Sequence, residues 1–306
     1  MRKKVNVLYY HRVYDMKDDI NLLCVTPAKF EQQLRYLKRN YDILRFGEDW
    51  NNCDGKGVVI TFDDGYMDNF KYALPILEEL EIPAVVFVSA GMLENTRGFW
   101  WDELQSLILN ESNQLKTIYI SDDKYGCNWD ISSYEKKLNC YYAIHHLMKS
   151  FIGPGIRDQW FQQLEEQCGM KGDVREHFRT LDRQSCSALA DSEYITIGAH
   201  TMTHSSLARM NIDDQREEIV NSKNYLEALL HKEIDMFSYP FGGKGVDYDE
   251  DTIQICKQVG IKKAAATIPG VWESESSNYE IPRNVVRNWG MSEFEYRIKS
   301  YWNSDI

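Results

Sequence analysis

Two carboxylates, Asp63 and Asp64, stand side by side within Thr61-Phe62-Asp63-Asp64-Gly65-Tyr66. His200 and His204 are four residues apart, and His11-Arg12 and Tyr239-Pro240-Phe241-Gly242 add an imidazole and a glycine-bearing loop. Two neutral imidazoles and one carboxylate, with a fourth position left for water, make the ligand set of a catalytic zinc-like site. Asp64, His200 and His204 supply that set. Asp63 need not bind the metal and could take the proton of its water. Neighbouring side chains diverge in an extended backbone, so the two aspartates can serve different roles. Taken singly the pieces are ordinary. Asp-Asp-Gly is a common turn, a lone His11 suits a satisfied core position, and Tyr-Pro-Phe-Gly-Gly is a loop.

Their place in the succession of elements is what joins them. Residues 5–10, 57–62, 84–89, 194–199 and 234–239 are short apolar runs that predict strands, with further strands near 263–267 and 280–286. Helical patterns lie between them. Thr26-Pro27 reads as an N-cap and first helical position before Phe30, Leu34 and Leu37, which share a face. Ile219, Leu226 and Leu230 share another within 212–232, and 252–259 forms a third. This alternation implies a mostly parallel sheet covered by helices. The number of strand–helix units and the absence of G-x-G-x-x-G favour a barrel. In such a barrel the loops after the strands open onto one face. His11, Asp63-Asp64, His200 and the proline loop each follow a predicted strand, so two carboxylates and three imidazoles are expected on one rim. Residues 94–181 break the rhythm and read as a mainly helical insertion, a lid or subdomain within a single domain spanning 1–306. Its helices are expected around 134–149 and 158–166, and 270–278 reads as a surface loop.

Composition narrows the function classes. With 43% hydrophobic and 27% charged residues in 306, the chain has the makings of a folded core rather than of disorder. A net charge of −12 argues against gripping nucleic-acid phosphates. No stretch approaches the roughly 18–20 apolar residues of a membrane span. The opening Met-Arg-Lys-Lys resembles a signal peptide, but the apolar run after it is broken at Asn6 and no small-residue cleavage site follows. Seven scattered cysteines without C-x-x-C suit reduced thiols, so a cytoplasmic location is expected.

Thr-Phe-Asp-Asp-Gly-Tyr, His-Thr-Met-Thr-His and the Tyr-Pro-Phe-Gly loop together resemble the polysaccharide deacetylases of carbohydrate esterase family 4, the NodB-homology domain, over about residues 5–92 and 185–290. The resemblance implies a distorted (β/α) barrel and a divalent metal, usually zinc, with cobalt, nickel or manganese as substitutes. It implies hydrolysis of N-acetyl groups on an amino sugar. Asp63 takes the role of general base, and Asp64, His200 and His204 those of metal ligands. The backbone N–H of Phe241, following Tyr239 and Pro240 in the substrate loop, would help hold the oxyanion. Two departures stand out. The family's proline loop begins with an arginine that pairs with the base, and here that residue is Ser238. No Leu-x-His lies near the carboxyl end, where the family's acid histidine belongs. Circularly permuted members carry that strand at the amino end, so Val7-Leu8-Tyr9-Tyr10-His11 nominates His11 as the acid. Arg283, in Ile281-Pro282-Arg283, is the nominee for the missing arginine, with Arg12 and Arg287 as rivals. A nucleotide-linked, lipid-linked or oligosaccharide substrate on the way to a surface polysaccharide fits a cytoplasmic enzyme. Trp100 and Trp101 offer a stacking platform for a sugar ring, against the alternative of a packed helix face. The same attack chemistry serves formyl, O-acetyl or cyclic-amide substrates. A binding-only carbohydrate protein is the reading if Ser238 leaves Asp63 unsupported.

Overall fold

The computed structural model describes residues 3–52, 55–95, 97–123, 126–150, 154–171 and 176–302. The chain divides into two compact units, one of Met1–Glu94 with Thr180–Ile306 and the other of Asn95–Arg179.

The first unit is organised by a barrel of seven parallel strands among the described residues, with a further short parallel strand, Asp42–Leu44, beside the first half of Lys56–Phe62. The seven are β1 (Lys4–Tyr10), β2 (Lys56–Phe62), β3 (Ala84–Val88), β4 (Ile195–Ala199), β5 (Met236–Ser238), β6 (Lys263–Ala265) and β7 (Arg283–Val285). Their order is β6-β5-β4-β3-β2-β1-β7. A parallel bridge between Ala265 and Ile281 ties the end of β6 to the segment entering β7, so the sheet nearly closes on itself. This is the distorted (β/α) barrel expected from the alternation of strand and helix. β1 lies between β2 and β7, with Val7 opposite both Val59 and Arg283.

The strands form because their sequences are short runs of Val, Ile, Phe and Ala with both faces covered, as in other parallel sheets. Alternation along β1 and β2 splits them between two clusters. Val5, Val7 and Val59 join Phe87 and Met236, whereas Leu8, Tyr10, Val58 and Ile60 pack with Phe30, Leu34 and Leu37 of the helix Pro27–Asn40. That helix starts as expected, with Pro27 in first position and the Thr26 hydroxyl accepting from the Lys29 N–H. The long helix Ile212–Leu230 is capped in the same way by Asn211.

Residues 270–278 are only in part the surface loop expected of them: 274–278 form a mostly exposed turn, but the start is buried. Trp272–Glu273 is a short strand antiparallel to β1, and Trp272 is 4% exposed, edge-on to Trp50 at 5.3 Å. The polar run that follows concealed a buried apolar pair, Val271-Trp272.

The second unit has helices Trp100–Ile108, Tyr134–Ser150 and Pro154–Cys168. It also has an antiparallel hairpin, Thr117–Ser121 with Gly126–Asp130, that the helical expectation missed. The buried Trp160 fastens this unit internally by donating its indole N–H to Asp122 at 2.9 Å.

Candidate active site

The loops after β1, β2, β4 and β5 bring His11, Asp63-Asp64, His200-His204 and Phe241 to one end of the barrel. Backbone strain marks the place. Asp64, Thr201, His204 and Phe241 have φ of 75°, 63°, 54° and 61°, a conformation non-glycine residues adopt at a cost of roughly 1–3 kcal/mol each. Two of them sit at the centre of γ-turns. The Gly65 N–H bonds back to the Asp63 carbonyl at 2.9 Å, and the Gly242 N–H to the Pro240 carbonyl at 2.7 Å. The divergence of Asp63 from Asp64 therefore comes from a tight turn rather than from extended backbone.

Asp64 faces the two imidazoles. Its Oδ1 lies 3.2 Å from His204 Nε2 and 3.6 Å from His200 Nε2, and the three ligand atoms fall within 4.8 Å of one another. All three side chains are buried. His200 Nδ1 is 2.7 Å from the Ser238 carbonyl, which can only accept, so Nδ1 carries a proton and Nε2 is the ring nitrogen turned toward Asp64. Burial opposes charge on Asp64, yet the facing imidazoles outweigh it and hold the carboxyl well below the usual range. Burial pushes His204 down, against the pull of Asp64. An ionised carboxylate and a neutral imidazole are the states a metal ligand needs. The donor set fits a divalent cation of the zinc type.

Asp63 points to a different partner. Arg283 grips it with both arms, Nη1 to Oδ1 at 2.8 Å and Nη2 to Oδ2 at 2.7 Å. The guanidinium is fully buried and every arm is used, with Nε on the Ala266 carbonyl and further bonds to Thr61 Oγ1 and Ser238 Oγ. Its carbon lies 4.8 Å from the Tyr9 ring centre and 5.7 Å from that of Phe87. Burial alone would raise the Asp63 carboxyl, but Arg283, with His200 and His11 adding to its pull, more than reverses it and the net shift is downward. Ser238, where the resemblance calls for arginine, thus touches the arginine that reaches Asp63 from β7. The premise of a binding-only protein, an unsupported Asp63, does not hold in this geometry. The rivals are engaged elsewhere: Arg12 pairs with buried Asp68 at 2.8 Å, and Arg287 donates to the Leu22 carbonyl.

His11 is half-buried, and its ring stands edge-on to Tyr9 at 5.6 Å. It lies close enough to lower the carboxyls of both Asp63 and Asp64. Its backbone is stitched to the segment after β2. Asn69 donates to the His11 carbonyl, the Asp63 N–H to the Tyr10 carbonyl, and the Val13 N–H to Asp68.

The proline loop contributes unequally. The Phe241 ring meets the His204 edge at 4.7 Å, and the Phe241 carbonyl accepts from the Thr267 hydroxyl at 2.7 Å. Tyr239 is placed away from the substrate contact expected of it. Strand alternation turns Ser238 inward and Tyr239 outward, where its ring stacks on Tyr248 at 4.1 Å and its hydroxyl donates to the Tyr279 carbonyl. Pro240 is buried and serves the γ-turn. Trp100 and Trp101 lie in the second unit at 8% and 5% exposure, so little of either ring faces solvent. Trp101 stacks on Phe99 at 4.5 Å, and Trp100 packs against His145 and under Arg157. Sequence reasoning missed Tyr9, although its place near the end of β1, two residues before His11, was a usable signal.

The family model for polysaccharide deacetylases matches residues 51–119 and 166–264, more than half of the chain. The chain belongs to the polysaccharide deacetylase family. Those stretches contain Asp63, Asp64, His200, His204 and Phe241, whereas His11 and Arg283 lie outside them and join the site through the geometry above. YxkH of Bacillus subtilis strain 168, whose name assigns it to the same family, is 21% identical over 92% of this chain and 70% of its own. Among solved structures, Streptococcus pyogenes deacetylase PplD, in complex with acetate, has a TM-score of 0.62 at 18% identity, covering 97% of this chain and 98% of its own. IcaB from Ammonifex degensii gives 0.62 at 16% identity over 99% and 98%. These likenesses establish the shared fold. Among the described residues no helix is long and apolar enough to cross a membrane.

Proposed function

We propose that the chain is a metal-dependent hydrolase that removes N-acetyl groups from an amino sugar of an oligosaccharide or surface-polysaccharide precursor. The observation behind this reading is the division of labour between adjacent carboxylates: Asp64 with two imidazoles, Asp63 with a bidentate arginine. Asp64, His200 and His204 would hold a divalent ion, zinc in the first instance, which would supply Lewis acidity toward the acyl oxygen and acidify water.

The chain's own residues do the rest. Asp63, kept ionised and aimed by Arg283, accepts the proton of the attacking water. The Phe241 backbone N–H meets the oxyanion as it develops, a contribution typically worth about 3 kcal/mol per donor. His11, protonated, donates to the departing amine, which is a poor leaving group without that proton. His11 reaches the site from β1, between β2 and β7, which favours the circularly permuted arrangement.

The test is acetate release from N-acetylated sugar nucleotides and chitooligosaccharides, by chelator-stripped protein and by the same protein with zinc restored. Zinc-dependent release is expected, and Asp63→Asn should lose it while still binding zinc. Full activity in that variant would remove Asp63 from the mechanism. Formate release from N-formyl analogues without acetate release would reassign the acyl group.

A further inference from the structure

We propose that Glu218, on the helix Ile212–Leu230, is a positioning residue that sets the spacing of His200 and His204 before any metal arrives. The inference rests on the reading of Asp64, His200 and His204 as a metal site. It extends that reading to a residue 14 positions beyond the second histidine and outside every motif in the chain.

The segment between the histidines, Thr201-Met202-Thr203, has to turn sharply for both rings to face Asp64. It does so with left-handed backbone at Thr201 and again at His204, φ 63° and 54°. Threonine is β-branched and ill-suited to that region, so the turn persists only where its surroundings dictate it. Glu218 provides much of that dictation. Its Oε2 accepts the N–H groups of Met202 at 2.8 Å and of Thr203 at 2.9 Å, and its Oε1 accepts the Thr203 hydroxyl at 2.7 Å. Two successive amides converging on one anionic oxygen form a nest, which a carboxylate fills better than a neutral acceptor. Glu218 is 9% exposed, so water competes little for these bonds.

The opposite edge of the turn is held by backbone. The Thr201 and Met202 carbonyls accept from the N–H groups of Ala90 and Gly91 at 2.9 and 3.0 Å. A Cβ at residue 91 would come within 2.6 Å of the Met202 oxygen. Carbonyls are pinned on one side and amides on the other, so the imidazoles arrive preset. Glu218 does not reach the ligand atoms, and its action passes through the loop it holds.

Partners of this kind behind metal ligands typically change affinity by about 10–100-fold when removed. Zinc affinity should be measured by chelator competition for the wild type, Glu218→Ala and Glu218→Gln, with apo-protein melting and the visible spectrum of the cobalt(II)-loaded form recorded alongside. The expected result is zinc affinity weakened about 10–100-fold in Glu218→Ala, an intermediate loss in Glu218→Gln, and an altered cobalt spectrum in both. Glu218→Gln keeps one carbonyl acceptor for the two amides, so it decides the matter if the alanine variant does not fold. Wild-type affinity and spectrum in Glu218→Gln, or in a folded Glu218→Ala, would overturn the proposal. Failure of the wild type to bind zinc or cobalt would instead overturn the metal reading beneath it.

Discussion

At the scale of single residues, the site turns on how one aspartate is prevented from behaving like its neighbour. Asp63 and Asp64 share a segment, burial and charge, but Asp64 lies at the centre of a strained turn and so faces the histidines, leaving Asp63 to Arg283. The arginine's planar fork matters as well as its charge, because both arms bind the same carboxylate. Replacing Arg283 with Met should leave a buried, uncompensated carboxylate and destabilise the fold by about 3–5 kcal/mol. Acetate release should fall by at least two orders of magnitude. Arg283→Lys keeps the charge without the fork and should fall between. Urea unfolding beside the activity assay separates the two effects, and an active, stable Arg283→Met would show that Asp63 works unaided. The Asp64, His200 and His204 cluster was legible from sequence because Asp-Asp-Gly and the four-residue histidine spacing are local signals. The clamp was nominated but not derivable, since Asp63 and Arg283 meet only through the pairing of β1 with both β2 and β7. Glu218 gave no signal, because a glutamate on an amphipathic helix ordinarily faces water.

At the scale of elements, the loops after β2 and β4 each supply part of one ligand set, so a bound ion links two segments that are otherwise joined by strand neighbours. Zinc at a hundredfold excess over its Kd should stabilise the fold by about 2.7 kcal/mol, or roughly 5–10 °C in melting temperature for a unit of this size. Chelation should reverse the shift, and Asp64→Asn should show little of it. An equal zinc-induced shift in Asp64→Asn would place the ion elsewhere. The strands themselves were readable from their apolar runs, and the helix at Pro27–Asn40 from its Thr-Pro start. Trp272 was not, since its two-residue strand lies in a polar stretch and is identified only by pairing with Val5. The hairpin at 117–130 does alternate, with Ile118 and Ile120 buried between exposed Thr117 and Tyr119, but its strands are five residues each and lie in a stretch read as helical.

At the scale of the whole molecule, stability depends on pH through buried groups, among them a carboxyl of the second unit. In the unit Asn95–Arg179, burial pushes the Glu103 carboxyl up to about 7, against the pull of its partner Arg97 and with Glu165 and Asp158 adding to the rise. The unfolded value is 4.5, so the folded form holds a proton that the unfolded chain releases between about pH 4.5 and 7. This group's contribution to stability is therefore complete below the unfolded value, falls through that window and is lost above 7. Thermal midpoints at pH 5 and pH 8 should show the wild type less stable at pH 8, and Glu103→Gln should narrow the gap. An unchanged gap in the variant would assign the pH dependence to other groups.

The neighbourhood of β1 and β7 also has a consequence for how the protein is made. Val7 leaves the ribosome hundreds of residues before Arg283, yet the two stand side by side in the finished sheet. Until that late segment emerges, β1 lacks one parallel neighbour, the bridge from Ala265 to Ile281 cannot form, and Asp63 has no guanidinium. Pairings this distant in sequence are slow to form, because loop closure comes before the contacts that reward it. A nascent chain stalled ahead of residue 283 would hold Asp64, His200, His204 and the acid candidate His11, but not the arginine that clamps Asp63. The proposed hydrolytic site would then stay incomplete on the growing polypeptide until the strand at Arg283–Val285 is in place.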